Sequence, residues 1–253
     1  MTDPALVRHA IVGAVCTITL DSQHNRNALS LELVRQLHVA LDAAEQASAR
    51  VIVLNHVGPT FCSGADLKER AAGVTDSGEM IRAFQRLADS PAPTIAAVQG
   101  AARAGGIGLI ASCDLAVLEP RVTCAFSEVR IGVIPAIIAV PLLRRCNPAG
   151  LMAPFLTGAP FDAHQALAIG LATHVADDVP STVESLVAAI LQGAPTALAA
   201  AKQLLSRPMN PDSQQAYTEM QVLSDSFFLS PDAKEGIAAQ TEKRPPLWLV
   251  TRH

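Results

Sequence analysis

Cys62-Ser-Gly-Ala-Asp66 and Ala104-Gly-Gly-Ile-Gly108 are two glycine-bearing turns, and they carry the most information about how this chain folds. Each follows an apolar, strand-like run, at residues 51–55 and 94–98, and each is predicted to open a helix. A glycine turn into a helix start leaves backbone N–H groups unpaired and pointing outward. Two such turns can direct two N–H donors at one oxygen atom, which is the minimum needed to stabilise an oxyanion or an enolate. The alternative is that both glycine sets only permit tight turns and close helix packing.

The composition is that of an ordinary globular protein. A chain of 253 residues, of which 50% are hydrophobic and 17% are charged, suits one large domain or one domain with a helical tail. The formal net charge of −4 creates no general attraction to nucleic acid or to anionic lipid, so neither is predicted as a partner. The most apolar run, residues 131–143, is too short to span a membrane.

Two features predict a cytoplasmic location. The five cysteines are an odd, scattered set without a C-x-x-C pair, which is typical of reduced and mostly buried thiols. The first residues, Met1-Thr-Asp-Pro4, lack the basic region followed by an apolar region that marks a secretory signal.

Strand and helix patterns alternate along most of the chain. Strand-like runs at 10–20, 51–54, 94–98 and 115–118 are separated by helical patterns at 30–44, 66–72, 78–89 and 107–112. Ser30, Asn147 and Asp162 are predicted helix N-caps. This rhythm predicts an α/β fold with parallel strands and right-handed crossovers. We divide the chain into a core at 1–194 and a helical region at 195–253, which folds over the core or over a neighbouring subunit.

Glu128 is the candidate acid–base group. It follows a short strand and precedes a very apolar run, and a carboxyl beside Phe126, Ile131 and Val133 is expected to be partly desolvated. Desolvation raises the pKa of a carboxyl toward values useful in proton transfer. The alternative is a solvated glutamate that pairs with Arg130.

The sequence contains no motif for several other kinds of catalysis. The seven histidines are scattered without metal-ligand spacing, and no G-x-S-x-G nucleophile turn is present. The glycines at 104–108 also miss the G-x-G-x-x-G spacing of a dinucleotide-binding turn. We therefore predict neither a metal nor a separate cofactor.

Three motifs, taken in order and spacing, resemble those of the crotonase superfamily, the enoyl-CoA hydratase/isomerase group. They are Phe61-Cys-Ser-Gly-Ala-Asp-Leu67, Ala97-Val-Gln-Gly-Ala-Ala-Arg-Ala-Gly-Gly106 and Phe126-Ser-Glu-Val-Arg-Ile-Gly-Val-Ile-Pro135. The resemblance extends over nearly the whole chain. It implies a crotonase-like spiral of ββα units with a C-terminal helical region through which trimers, or dimers of trimers, assemble.

The resemblance also implies a site. The N–H groups of Ala65 and Gly105 would form an oxyanion hole for the thioester carbonyl of an acyl-CoA, with Glu128 as acid and base. Coenzyme A is then part of the substrate, and its implied contacts are Arg26, Ala28, Ser63, Ala65, Asp66, Leu67 and Lys243. Lys243 would reach a CoA phosphate, in its own or in a neighbouring subunit; the alternative is a solvated lysine in the tail.

One departure from the family pattern bears on the reaction. Typical hydratases hold a water between two glutamates; Glu128 matches the second, whereas Gly108 stands where the first is expected. Three interpretations stay open: hydration of a 2-enoyl-CoA by Glu128 alone, isomerisation or another crotonase reaction that needs one carboxylate, and acyl-CoA binding with little turnover. The acyl group is also open, since the helical stretch with Met80, Ile81, Phe84 and Leu87 has the spacing of core residues as well as of an acyl pocket.

Overall fold

The computed structural model describes residues 5–73, 77–206 and 211–249. Residues 1–4, which contribute to the prediction of a cytoplasmic location, lie outside these ranges. The described strands are β1 Val7–Val12, β2 Val15–Leu20, β3 Val51–His56, β4 Thr60–Cys62, β5 Thr94–Val98, β6 Ala101–Arg103, β7 Leu115–Leu118, β8 Thr123–Ala125, β9 Phe161–Asp162 and β10 His174–Val175. The described helices are α1 Leu31–Gln46, α2 Leu67–Ala71, α3 Ser77–Asp89, α4 Gly105–Ser112, α5 Ala136–Arg145, α6 Pro148–Thr157, α7 Ala163–Ala168, α8 Val179–Leu191, α9 Pro195–Ser206, α10 Ser213–Phe228 and α11 Pro231–Glu242.

The strands form two sheets. The larger has the order β1-β2-β3-β5-β7-β10, and the smaller has the order β4-β6-β8-β9. Neighbouring strands from β2 through β10 in the large sheet are parallel, as the alternation of strand and helix predicts. The run predicted at 10–20 lies in two antiparallel strands instead, because Gly13 takes a positive φ of 56° and reverses the chain between them.

The repeat along the chain is a long strand, a short strand and then a helix. β3, β5 and β7 lie side by side in the large sheet, and each is followed by a short strand, β4, β6 or β8, in the small one. Of these three-residue strands, the sequence pattern predicted only β8, the one before Glu128, because three residues are usually too few to show an alternating pattern. The segments that follow β4, β6 and β8 therefore lie next to one another at the same edge of the small sheet.

Helix α1 shows how the sequence pattern becomes packing. The Oγ of Ser30 accepts a hydrogen bond from the N–H of Leu33 at 3.2 Å, which confirms the predicted N-cap. Leu33, Leu37 and Leu41 recur on one face of the helix and are fully or almost fully buried in the main core. Asn147 and Asp162 likewise cap α6 and α7.

The C-terminal helices are fastened to the core by polar contacts. Lys202 on α9 forms an ion pair of 2.8 Å with Asp114, which also accepts a hydrogen bond from the backbone N–H of Thr94. The guanidinium of Arg50 donates to backbone carbonyls at Leu191, Gly193 and Trp248. The division at 194/195 and the role of this region in trimer assembly stay predictions.

Membrane-spanning potential is limited in the described ranges. None of their helices has, by itself, both the length and the apolar character that crossing a membrane requires. Helices α8 and α9 reach that threshold only when joined, and they are bent by 109° relative to each other.

The cap of α1 gives a test of the fold. Replacing Ser30 by Ala removes the acceptor for the Leu33 N–H, so we expect the free energy of unfolding to fall by about 1 kcal/mol. Urea unfolding followed by circular dichroism measures this. The matched control is Ser185→Ala at an exposed position inside α8, which should leave stability unchanged or slightly raised. An equal loss in both variants would contradict the assignment.

Candidate active site

The two glycine turns contact each other directly. A β-carbon built on Gly64, whose φ is +93°, would lie 2.8 Å from the Cβ of Ala104 and 3.5 Å from the N of Gly105. One built on Gly106 would lie 2.6 Å from the carbonyl oxygen of Cys62. Distances below 3.0 Å are forbidden by sterics, so the turn after β4 can approach the start of α4 only because these residues lack side chains.

Each turn leaves N–H groups without an acceptor among the described residues, and those of Ala65 and Gly105 are among them. Gly105 is the first residue of α4. The first hydrogen bonds at this end of the helix run from the N–H groups of Ile107 and Gly108 to the carbonyl of Ala104, so they do not involve the N–H of Gly105. Ala65 forms a bridge with Leu29, in which the Leu29 N–H donates to the carbonyl of Gly64 at 2.7 Å. Within the described residues, the N–H groups of Ala65 and Gly105 have no hydrogen-bond acceptor.

Ala104 takes a conformation that favours glycine. Its φ is 46° and its ψ is −118°, a region that is costly for a residue with a side chain. The turn at 104–108 is therefore strained at Ala104. The N–H of Ala104 donates to the carbonyl of Ala125 on β8 at 3.2 Å, which holds the residue in this conformation.

Glu128 is half-buried on a short 3₁₀ segment, Ser127–Ile131, directly after β8. Its Oε2 is buried and has no hydrogen-bond partner among the described residues. This burial raises the pKa of the carboxyl above its usual range, as the sequence predicts. The alternative pairing with Arg130 does not occur, because the Nε of that side chain donates to the carbonyl of Thr157 at 3.0 Å.

One cavity of about 430 Å³ brings the three catalytic candidates together. Ala65, Gly105 and Glu128 all line it, and Glu128 is the single acidic residue among its described lining residues. Much of the remaining wall is apolar and is formed by Met80, Ile131, Val133, Ile134, Ile137 and Ile138. A carboxyl and two free amides in an apolar cavity interact more strongly with a developing charge than they do in water.

The predicted CoA contacts divide into two groups. Ser63 and Leu67 line the cavity beside Ala65. Asp66 does not; its carboxylate caps α2 by accepting from the Lys68 N–H at 2.9 Å, and it also accepts from the amide of Asn25 at 3.2 Å. Asp66 therefore contributes to the local structure of the turn.

Arg26, Ala28 and Lys243 also lie outside the wall of this cavity. Arg26 takes a positive φ of 57°, and its carbonyl accepts from the N–H of Ser63 at 3.1 Å. Ala28 is 5% exposed, and Lys243 ends α11 in the left-handed conformation. A contact between these residues and CoA stays a prediction.

Gly108 is closely surrounded by apolar side chains. A β-carbon at this position would lie 2.7 Å from the Cζ of Phe84 and 2.7 Å from the Cγ2 of Ile138. The volume into which a side chain from this turn of α4 would extend is therefore already filled. Met80, Phe84 and Leu87 are buried, which confirms them as core-facing, and Met80 also reaches the cavity; the prediction is wrong for Ile81, which is 37% exposed.

One charged residue of the cavity was not predicted from the sequence. Arg70 on α2 lines the same wall as Leu67 and Met80. A signal existed in its spacing, since Arg70 lies three residues after Leu67, a predicted CoA contact, and so shares a helix face with it.

Stacked ββα units followed by a helical region define the crotonase fold. Residues 10–250 match the model of the family described as enoyl-CoA hydratase/isomerase. The chain belongs to this family of the crotonase superfamily.

Relatives and solved structures agree with this assignment. A putative enoyl-CoA hydratase of Thermus thermophilus is 34% identical over 248 residues, which cover 92% of this chain and 97% of that protein. The crystal structure of a putative enoyl-CoA hydratase from Mycobacterium avium paratuberculosis is 42% identical, with a TM-score of 0.75 and coverage of 97% of this chain and 100% of that one. An enoyl-CoA hydratase/isomerase from Marinobacter aquaeolei is 26% identical, with a TM-score of 0.88 and coverage of 97% and 99%.

The contact between the two turns can be tested through Gly106. In Gly106→Ala the new methyl group meets the backbone of Cys62, so we expect the free energy of unfolding to fall by about 1–3 kcal/mol. The control is Gly236→Ala, which is also inside a helix. Its new methyl group would meet only the far edge of the Trp248 ring at 3.1 Å, and alanine favours the helix, so we expect no such loss of stability. Urea unfolding compares the two. A neutral Gly106→Ala would show that the turns do not need this approach.

Proposed function

We propose that this protein processes acyl-CoA thioesters by stabilising a thioester enolate. The N–H groups of Ala65 and Gly105 hold the thioester oxygen, and Glu128 moves the proton at the adjacent carbon. The observation that carries this proposal is that two amides without acceptors and a carboxyl whose Oε2 has no partner line one mainly apolar cavity of the described structure. The names of the relatives, which refer to enoyl-CoA substrates, support the same class of substrate.

The chemistry depends on where charge develops. When Glu128 takes a proton from the carbon next to the thioester, negative charge moves onto the carbonyl oxygen, and the two fixed N–H groups bind that oxygen more tightly than the neutral carbonyl. Removing one such donor typically costs about 2.7–4 kcal/mol in the transition state. The raised pKa of Glu128 makes the carboxylate a stronger base than a solvated glutamate, so it accepts the proton more readily.

CoA itself would extend along the turn after β4. Ser63 and Leu67, which line the cavity beside Ala65, are the proposed contacts for the pantetheine end. Arg26, Ala28 and Lys243 are proposed for the more distant parts of CoA, and Lys243 for a phosphate. A trimer would bring a second tail close to this end of the site.

Two reactions fit a single carboxylate. Hydration of a 2-enoyl-CoA requires Glu128 to position a water and to supply its proton without a second carboxylate. Isomerisation requires only that one carboxylate carry a proton from one carbon to another. The packing of Phe84 and Ile138 against Gly108 favours isomerisation, because it fills the position from which a second carboxylate would hold the water. Acyl-CoA binding without turnover is the third possibility.

Replacement of Glu128 tests the assignment of the base. We expect Glu128→Gln to slow exchange of solvent deuterium into an acyl-CoA thioester by about 10²–10⁴-fold, measured by mass spectrometry. The wild-type rate should fall as the pH drops through the raised pKa, at a pH above the usual value of 4.5, because the working base is the deprotonated form. The variant should lack this dependence.

The matched control for that experiment is Glu184→Gln, which removes an exposed carboxylate on α8. It should keep both the exchange rate and the pH profile of the wild type. Unchanged exchange in Glu128→Gln would show that Glu128 does not move the proton.

Incubation with two thioesters in D₂O separates the reactions. We expect a 3-enoyl-CoA to gain deuterium at C2 and C4 as its double bond shifts, and crotonyl-CoA to add water more slowly, because Glu128 acts alone. Mass spectrometry and proton NMR follow both products. Fast addition of water without a shift of the double bond would establish hydration, and no change in either thioester would indicate a binding protein.

A further inference from the structure

Arg70 introduces a positive charge into the proposed active site. It lies on α2, is half-buried, and lines the cavity that also contains Ala65, Gly105 and Glu128. Of the described residues that line this cavity, Arg70 is the only one with a cationic side chain. The arrangement is unusual for a cavity whose other walls are mainly apolar.

The guanidinium is only partly satisfied by the protein. Its Nη2 donates to the Oγ of Ser77 at 3.2 Å, and no carboxylate in the described ranges forms an ion pair with it. By contrast, the guanidinium groups of Arg50 and Arg145, which are equally half-buried, donate to several backbone carbonyls. Asp66, Glu69 and Glu79 border Arg70 in an adjacent cavity without forming an ion pair with it, so the half-buried guanidinium keeps N–H donors available.

Glu128 is not the missing partner. It shares the cavity with Arg70, yet the two side chains form no ion pair, and Glu128 Oε2 has no hydrogen-bond partner in the described part of the chain. Burial raises the pKa of Glu128, whereas a neighbouring guanidinium would lower it. The negative and positive groups therefore act at separate points of one cavity.

We propose that Arg70 binds a carboxylate on the acyl group of the substrate, so that the substrates are CoA thioesters of dicarboxylic acids. A guanidinium presents its N–H donors in a planar fork that matches a carboxylate, and it forms strong, charge-assisted hydrogen bonds. Ser77 fixes the orientation of the fork. This inference rests on the proposed function, because it places the thioester oxygen at the amides of Ala65 and Gly105.

Binding of saturated thioesters tests the inference without requiring turnover. Glutaryl-CoA and pentanoyl-CoA share a five-carbon chain and differ in the terminal carboxylate, and neither has a double bond to shift. By calorimetric titration, we expect the wild type to bind glutaryl-CoA about tenfold or more tightly than pentanoyl-CoA. Arg70→Met should remove this preference, and Arg70→Lys should keep part of it.

The control is Lys68→Met, which removes a positive charge from an exposed position on the same helix, outside the cavity wall. It should leave the preference for glutaryl-CoA unchanged. Thermal unfolding of each variant shows whether it is folded. If Arg70→Met is not folded, Arg70→Gln replaces it in the experiment, because glutamine keeps an N–H donor near Ser77 without the charge.

Three results would overturn the inference. The first is a wild type that binds both thioesters equally well. The second is an Arg70→Met variant that keeps the preference. The third is an equal loss of affinity for glutaryl-CoA, pentanoyl-CoA and free CoA, which would place Arg70 against a phosphate of CoA. If the wild type binds neither thioester, the proposed function fails as well, and this outcome differs from all three.

Discussion

The close approach of two backbone segments is the constraint on which the site depends. The turn after β4 lies against the first residues of α4, and Gly64 and Gly106 have no room for a β-carbon on the facing sides. Because the helix starts at this contact, the N–H of Gly105 has no acceptor within the described part of the helix or its surroundings. Rigid donors of this kind need no reorganisation when charge develops, which is why the geometry suits an oxyanion.

The repeated ββα unit explains why these groups meet. β4, β6 and β8 are parallel neighbours, so the segments that follow them leave the small sheet at the same edge. The first segment carries Ala65, the second Gly105, and the third Glu128. Three residues that are 40 and 23 positions apart in the chain thus line one cavity. The apolar run after Glu128 then supplies a wall that keeps the carboxyl partly desolvated.

Local signals predicted much of the fold. The caps at Ser30, Asn147 and Asp162 form as expected, because each side chain satisfies an N–H group of its own helix and needs no distant partner. β3, β5 and β7 were also predicted, since buried parallel strands appear as continuous apolar runs. β8 was expected as the short strand before Glu128, whereas β4 and β6 were missed, because three residues show no alternating pattern and their ladder partners are distant in sequence.

The sequence by itself determined the family and the α/β class, because glycine turns and apolar runs are local signals. It also singled out Glu128 by its apolar neighbours, and the family resemblance pointed to Ala65 and Gly105. Only the tertiary structure decided that Phe84 and Ile138 fill the space at Gly108, that Arg130 turns to Thr157 instead of Glu128, and that Arg70 enters the cavity. These outcomes depend on side chains from separate elements competing for one volume or one partner. Such competition is settled by packing in three dimensions and leaves no periodic trace along the chain.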